Sequence, residues 1–146
     1  TKCYAIPGLR LGYLLGEEQL VERIARFAFP WSVNALAIEA GKFLLQSGDS
    51  MLPDAICLLK RQRQFSAEIA ELSGFRPVES HTSFFLVHAE ADVPCLKRWL
   101  LEKHGLLIRD ASNFRGLDNH YFRINTLTDF KNNLLLEALK LWNTIG

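Results

Sequence analysis

An α/β chain whose later part is a small α+β layer, helices against one face of a sheet, is the fold class the sequence predicts. Three observations predict it. Apolar residues make up 49% of the 146 residues, enough to build a core. Short strand-like runs are interspersed with stretches of helical spacing. Beyond Arg76-Pro77 the patterns run strand, helix, strand, strand, helix, an order that suits helices packed on one side of a sheet.

The elements follow in turn. Ala5-Ile6-Pro7-Gly8 reads as a turn, because Pro presets one backbone angle and Gly permits a positive one. Leu9–Leu15 alternates and then turns apolar, which predicts a strand that Gly16 stops. Leu20, Ile24 and Phe27 have helical spacing within Glu17–Phe27. Phe29-Pro30-Trp31 breaks that helix, and Ser32 offers an N-cap for a second helix from about Val33 to Gln46. A long helix is expected over Pro53–Leu72, followed by a cap at Gly74. Its Lys60-Arg61-Gln62-Arg63 block reads as a solvated face. Then come a strand over Thr82–His88, a helix over Pro94–His104 led by Asp92 and capped by Gly105, strands over Leu106–Asp110 and Tyr121–Thr126, and a last helix over Asp129–Trp142 capped by Thr128. The Phe84-Phe85 pair and Trp99 read as core, and Trp31 as packing. The boundary falls near residues 47–51, giving an incomplete first unit, 1–50, and a second unit, 51–146, made of a long helix and a small α/β domain.

A formal net charge of +1 gives no bulk attraction to nucleic acid or to an anionic membrane. Apolar runs are too short to span a bilayer. Cys3, Cys57 and Cys95 are scattered and lack ligand spacing, so no metal site is expected. With neither an initiator Met nor a signal pattern, the chain reads as a fragment of a cytoplasmic protein.

Two constellations carry possible chemistry. In the first, Lys2 precedes a Pro-Gly turn and Arg10 follows it. An amine near a fixed guanidinium loses basicity and gains nucleophilicity, and the guanidinium can hold an anion through two N–H groups. A surface lysine and an edge-strand arginine are the plainer reading. In the second, Arg109 and Arg123 lie on neighbouring strands joined by a loop. The two could pair with Asp110 and Glu137 or simply face water. Asn34, near a helix start, reads as a local hydrogen-bonding residue, and His81 decides nothing.

Thr1-Lys2 followed by Gly8-Leu9-Arg10 and Gly12-Tyr13 resembles the cofactor-lysine motif of fold-type-I pyridoxal 5'-phosphate (PLP) enzymes of the class I/II aminotransferase group, S/T-K-x-x-x-x-x-G-L-R-x-G-Y/F. The resemblance covers essentially the whole chain in element order. It implies the C-terminal part of the PLP-transferase fold, with 1–50 the end of the large domain. It also implies that Lys2 is the catalytic residue that carries PLP covalently and that Arg10 binds the cofactor phosphate. Arg123 matches the arginine that holds the substrate carboxylate. Arg109 matches one that holds substrate phosphate or carboxylate.

Ile108-Arg109-Asp110-Ala111-Ser112-Asn113-Phe114, continuing through Gly116-Leu117-Asp118 to Phe122-Arg123, is similar to the subgroup acting on phosphorylated substrates, and Pro30–Ala35 points the same way. That subgroup contains threonine-phosphate decarboxylases of cobalamin synthesis, which yield aminopropanol phosphate, and histidinol-phosphate aminotransferases. The decarboxylase pattern is the closer, the aminotransferase the alternative, and a folded but catalytically silent fragment a third reading. The implied partner is a small phosphorylated amino acid, with a homodimer as the full-length assembly.

Overall fold

The computed structural model, which describes residues 4, 6–47 and 52–145, divides the chain into two units, Thr1–Pro53 and Asp54–Gly146. In the first, the Pro-Gly turn is a single 3-10 turn over Pro7–Leu9, closed by Arg10 in the left-handed region at φ 53°. Helices α1 (Glu18–Ala25) and α2 (Ala35–Gln46) follow. Three expectations are corrected here. Leu9–Leu15 is not a strand among the described residues: Leu9 closes the 3-10 turn, Arg10 follows it in the left-handed region, and 11–15 carry no regular structure. The N-cap of α2 is Asn34, not Ser32: its side-chain oxygen accepts the Ala37 N–H at 2.9 Å. Segment 10–17 lies against α2 at Gly41, where a Cβ would meet the Leu11 side chain at 2.6 Å. Ala37 is buried, whereas Phe27, Phe29 and Trp31 are exposed. Trp31, expected to pack, is 99% exposed.

The second unit opens on α3 (Ala55–Ala70), whose N-cap Asp54 accepts the Cys57 N–H at 2.9 Å. A turn with Gly74 at φ 77° leads into β1 (Phe75–Pro77), then β2 (Phe84–Ala89). The sequence reading missed β1. Three residues are too few for a period to emerge, and Pro77 is tolerated because β1 is an edge strand. Helix α4 (Val93–His104) starts at Asp92, which accepts the Cys95 N–H at 3.1 Å and the Asn119 side-chain N–H at 2.6 Å, and it ends at Gly105 with φ 65°. Strand β3 covers only Arg109–Asp110, shorter than expected, because the Leu106 N–H turns back to the Leu100 carbonyl to finish α4. Strand β4 (Tyr121–Asn125) and helix α5 (Asp129–Ile145) complete the unit.

The strands pair antiparallel in the order β1-β2-β4-β3. Alternation decides the faces. Phe85, Val87 and Ala89 of β2 and Phe122 and Ile124 of β4 are buried with Phe65 and Ile69 of α3, Leu96 and Leu100 of α4, and Leu136 and Leu139 of α5. All three helices therefore cover one face. Phe65 meets Phe85 edge-on at 5.8 Å, and Phe75 meets Phe122 at 6.2 Å. Trp99, expected in the core, is half-buried at its margin and packs there against Trp142.

The β3–β4 loop is held by its own polar groups. The Asp110 carboxylate accepts the Ser112 N–H at 2.8 Å, Gly116 turns at φ 86°, and Asp118 accepts the His120 N–H at 3.0 Å. The backbone N–H of Ser112, and then its hydroxyl, hold the Asp110 carboxyl below its usual value of 3.8. Among the described residues, no helix is long and apolar enough to cross a membrane.

Two outcomes follow from this packing. Phe122→Ala removes a ring with no exposed surface and should destabilise the second unit by about 3–5 kcal/mol in urea unfolding; a loss below about 1 kcal/mol would contradict the burial. A carboxyl depressed by folding stabilises above its unfolded pKa, and that contribution fades as pH falls through the folded value. Carbon-detected titration of Asp110 should therefore show a midpoint under 3.8, and an Asp110→Asn variant should lose that part of the acid dependence.

Candidate active site

The face of the sheet opposite the helices is where the second constellation sits. Strand β4 buries Phe122 and Ile124, so Arg123 between them must project from the open face. Ile108 is buried, so Arg109 projects the same way. In the register, Arg109 is paired directly with Arg123, and Arg123 directly with Leu86. The structure thus brings both substrate-site candidates together.

Like charges on opposed residues of a ladder are unfavourable. At contact distance they repel by about 1 kcal/mol in water, and by more where water is excluded. The bland pairings considered for these arginines do not form among the described residues. Asp110 is occupied by Ser112, and Glu137 is bonded to Lys140 at 2.8 Å. Aromatic rings and an amide support the cations instead. The Arg123 guanidinium carbon lies 5.4 Å from the centre of the Phe84 ring, and that of Arg109 lies 5.6 Å from the Phe114 ring. Arg109 also donates to the Asn113 side-chain oxygen at 3.1 Å.

Glu79, Ser80, Phe84, Leu86, Phe114 and Arg123 line a concavity of about 250 Å³, of a size for a small metabolite rather than a drug-sized ligand. A further cavity of about 450 Å³ has a mostly apolar lining that includes Phe65, Leu106, Ile108 and Leu135, with Arg109, Arg123 and Lys131 also contributing to its wall.

Phe84 is a correction to the sequence reading. It was expected in the core but is 47% exposed on the open face, beneath Arg123. The signal was available: adjacent residues of one strand point to opposite faces, so Phe84 and Phe85 cannot both be core. Phe114 and Asn113 had no assigned role, because loop geometry decides where they reach. His81 is exposed, 3.8 Å from Glu79.

In the first unit, Arg10 is exposed, and its guanidinium donates to the Pro7 carbonyl at 2.9 Å. It has no carboxylate partner among the described residues. A left-handed non-glycine residue is uncommon and tends to mark functional segments. A guanidinium with open donors and no counter-ion fits a phosphate monoester, so the donor chemistry suits the phosphate of PLP. Lys2 lies outside the described residues. Asn34 caps α2 and also reaches the Leu9 carbonyl at 3.5 Å, which ties the turn of Arg10 to that helix. Cys57 and Cys95 are free and exposed.

Comparison with known proteins places this arrangement. The family model for aminotransferases of class I and II matches residues 1–139. A threonine-phosphate decarboxylase of Salmonella typhimurium is 36% identical over 141 residues, 96% of this chain and 38% of that protein. A histidinol-phosphate aminotransferase of Carboxydothermus hydrogenoformans is 30% identical over 139 residues, 95% of this chain and 38% of that protein. Among solved structures, L-threonine-O-3-phosphate decarboxylase from Porphyromonas gingivalis matches with a TM-score of 0.90 and 39% identity, covering 97% of this chain and 44% of that one. The chain therefore spans about two fifths of the length of these relatives. By its sequence match and its fold, the chain belongs to the PLP-dependent aminotransferases of class I and II.

Proposed function

We propose that this chain is the C-terminal part of a PLP-dependent decarboxylase acting on L-threonine O-3-phosphate to give aminopropanol phosphate, a step of cobalamin synthesis. The observation that carries the reading is the direct pairing of Arg109 with Arg123 on the open face, with neither in an ion pair with a carboxylate among the described residues. Two neighbouring cations of this kind suit a substrate that bears both a carboxylate and a phosphate. The relatives named as threonine-phosphate decarboxylases support the choice of substrate.

In this reading, residues 1–50 close the large domain and 51–146 form the small domain with its connecting helix. Lys2 carries the cofactor and Arg10 holds its phosphate. PLP, when bound, would supply an electron sink for the bond broken at the substrate Cα. The chain's own residues choose that bond. Arg123 grips the substrate carboxylate, and Arg109 grips its phosphate or shares its carboxylate. For decarboxylation, the two arginines would orient the substrate so that its carboxylate leaves as carbon dioxide, and the Lys2 amine would supply the proton that takes its place on Cα. For transamination, they would orient it so that the Lys2 amine takes the α-proton. The 30% identical histidinol-phosphate aminotransferase keeps this second reaction as the alternative. The active enzyme is proposed to be a homodimer, and the exposed Phe27, Phe29 and Trp31 are apolar surface that further protein would cover.

The test is to incubate the holoenzyme that contains this chain with L-threonine O-3-phosphate. The expected result is carbon dioxide and aminopropanol phosphate in equal amounts without any keto acid; amino transfer that requires a keto acid would replace this reading with the alternative. Arg123→Leu removes a bidentate charged contact and should raise KM for the substrate by roughly 10–100-fold. An unchanged KM would take Arg123 out of the site.

A further inference from the structure

Resting on the substrate site proposed above, we infer that Phe84 and Phe114 are positioning residues that stand in for counter-ions, holding the two guanidinium groups without neutralising them. Arginines that hold a substrate anion face conflicting demands. Left free, a long side chain must be ordered on binding, which weakens affinity. Tied to a carboxylate, it is ordered, but its charge and its forked N–H groups are already taken.

The open face of this sheet meets both demands. Phe84 is a diagonal neighbour of Arg123, since Phe84 pairs with Asn125 and Leu86 pairs with Arg123. Its ring centre is 5.4 Å from the guanidinium carbon. Phe114, brought over by the β3–β4 loop, is 5.6 Å from the guanidinium carbon of Arg109. A ring face attracts a cation through its quadrupole yet accepts none of its in-plane N–H donors. Asn113 takes one N–H of Arg109 with a neutral oxygen, so the charge is preserved there too.

Phe84 is 47% exposed, and Phe114 is half-buried. Neither belongs to the core cluster, so packing on that core does not account for an aromatic residue at either place. Both rings line the same concavity as Arg123.

The experiment uses the holoenzyme with L-threonine O-3-phosphate, comparing Phe84→Leu, Phe84→Tyr, Phe114→Leu and Arg123→Leu. The leucine variants keep apolar bulk and lose the ring. Each should raise KM by about three- to tenfold with kcat held within about twofold, since the rings order the arginines in the free enzyme and the bound anion itself orders them in the complex. Phe84→Tyr keeps the ring, and its hydroxyl can reach water, so it should restore KM. PLP affinity, read from its absorbance on titration, should not move in any of them. If Arg123→Leu raises KM while both leucine variants leave it unchanged, the positioning role is overturned and the substrate site stands. If Phe84→Leu raises KM and Phe84→Tyr fails to restore it, the ring face is not the cause and the role is likewise overturned. If Arg123→Leu itself has no effect, the substrate-site reading falls and this inference falls with it.

Discussion

Two cations are fixed on directly opposed residues of β3 and β4, and the core on the other side of the sheet is what keeps them there. Phe122 and Ile124 must be buried against the helices, so Arg123 must not be. A slip of one residue would send Arg123 into the apolar interior and the two core residues into water. Burying that guanidinium unpaired would be far more unfavourable than the repulsion it now experiences beside Arg109. The site is therefore a consequence of the register, and the register is a consequence of apolar burial. No separate stabilising device is needed to keep the cations on the same face.

The surrounding polar groups set how rigid that face is. The loop between β3 and β4 is closed by side chains that bond to nearby backbone, with Asp110 taking Ser112 and Asp118 taking His120. Asp92 begins α4 and also holds Asn119 at the far end of the loop. These bonds engage Asp92, Asp110 and Asp118, while Glu79, which lines the concavity with Arg123, lies 3.8 Å from His81. The groups in direct contact with the two guanidiniums are rings and an amide. In the first unit the same economy appears on a smaller scale. Asn34 caps α2 while its amide reaches the turn that ends in Arg10.

Much of this was legible in the sequence, for reasons that differ by element. The helices of the second unit declared themselves through caps at Asp92, Gly105 and Thr128 and through repeated apolar spacing. Strand β4 was visible because five residues suffice to show alternation. Strand β1 was not, because three residues do not. The Leu9–Leu15 strand was read from a pattern that describes apolar surface in general. Only pairing makes such surface a strand, and pairing is tertiary. The α2 cap went to Asn34 over Ser32 because both residue types suit the position and backbone geometry alone chooses between them. The arginines were found through a family motif. Their spacing of fourteen residues says nothing by itself about direct pairing. Phe84 was misplaced by treating an adjacent pair as one apolar block, where the two-residue period of a strand separates its members.

The most direct measurement is a crystal structure of the holoenzyme with L-threonine O-3-phosphate bound. The account predicts an oxygen of the substrate's anionic groups within hydrogen-bonding distance of each guanidinium, Arg109 and Arg123, with the rings of Phe84 and Phe114 still behind them. A substrate whose carboxylate and phosphate both lie away from these two residues, held by other cations, would contradict it.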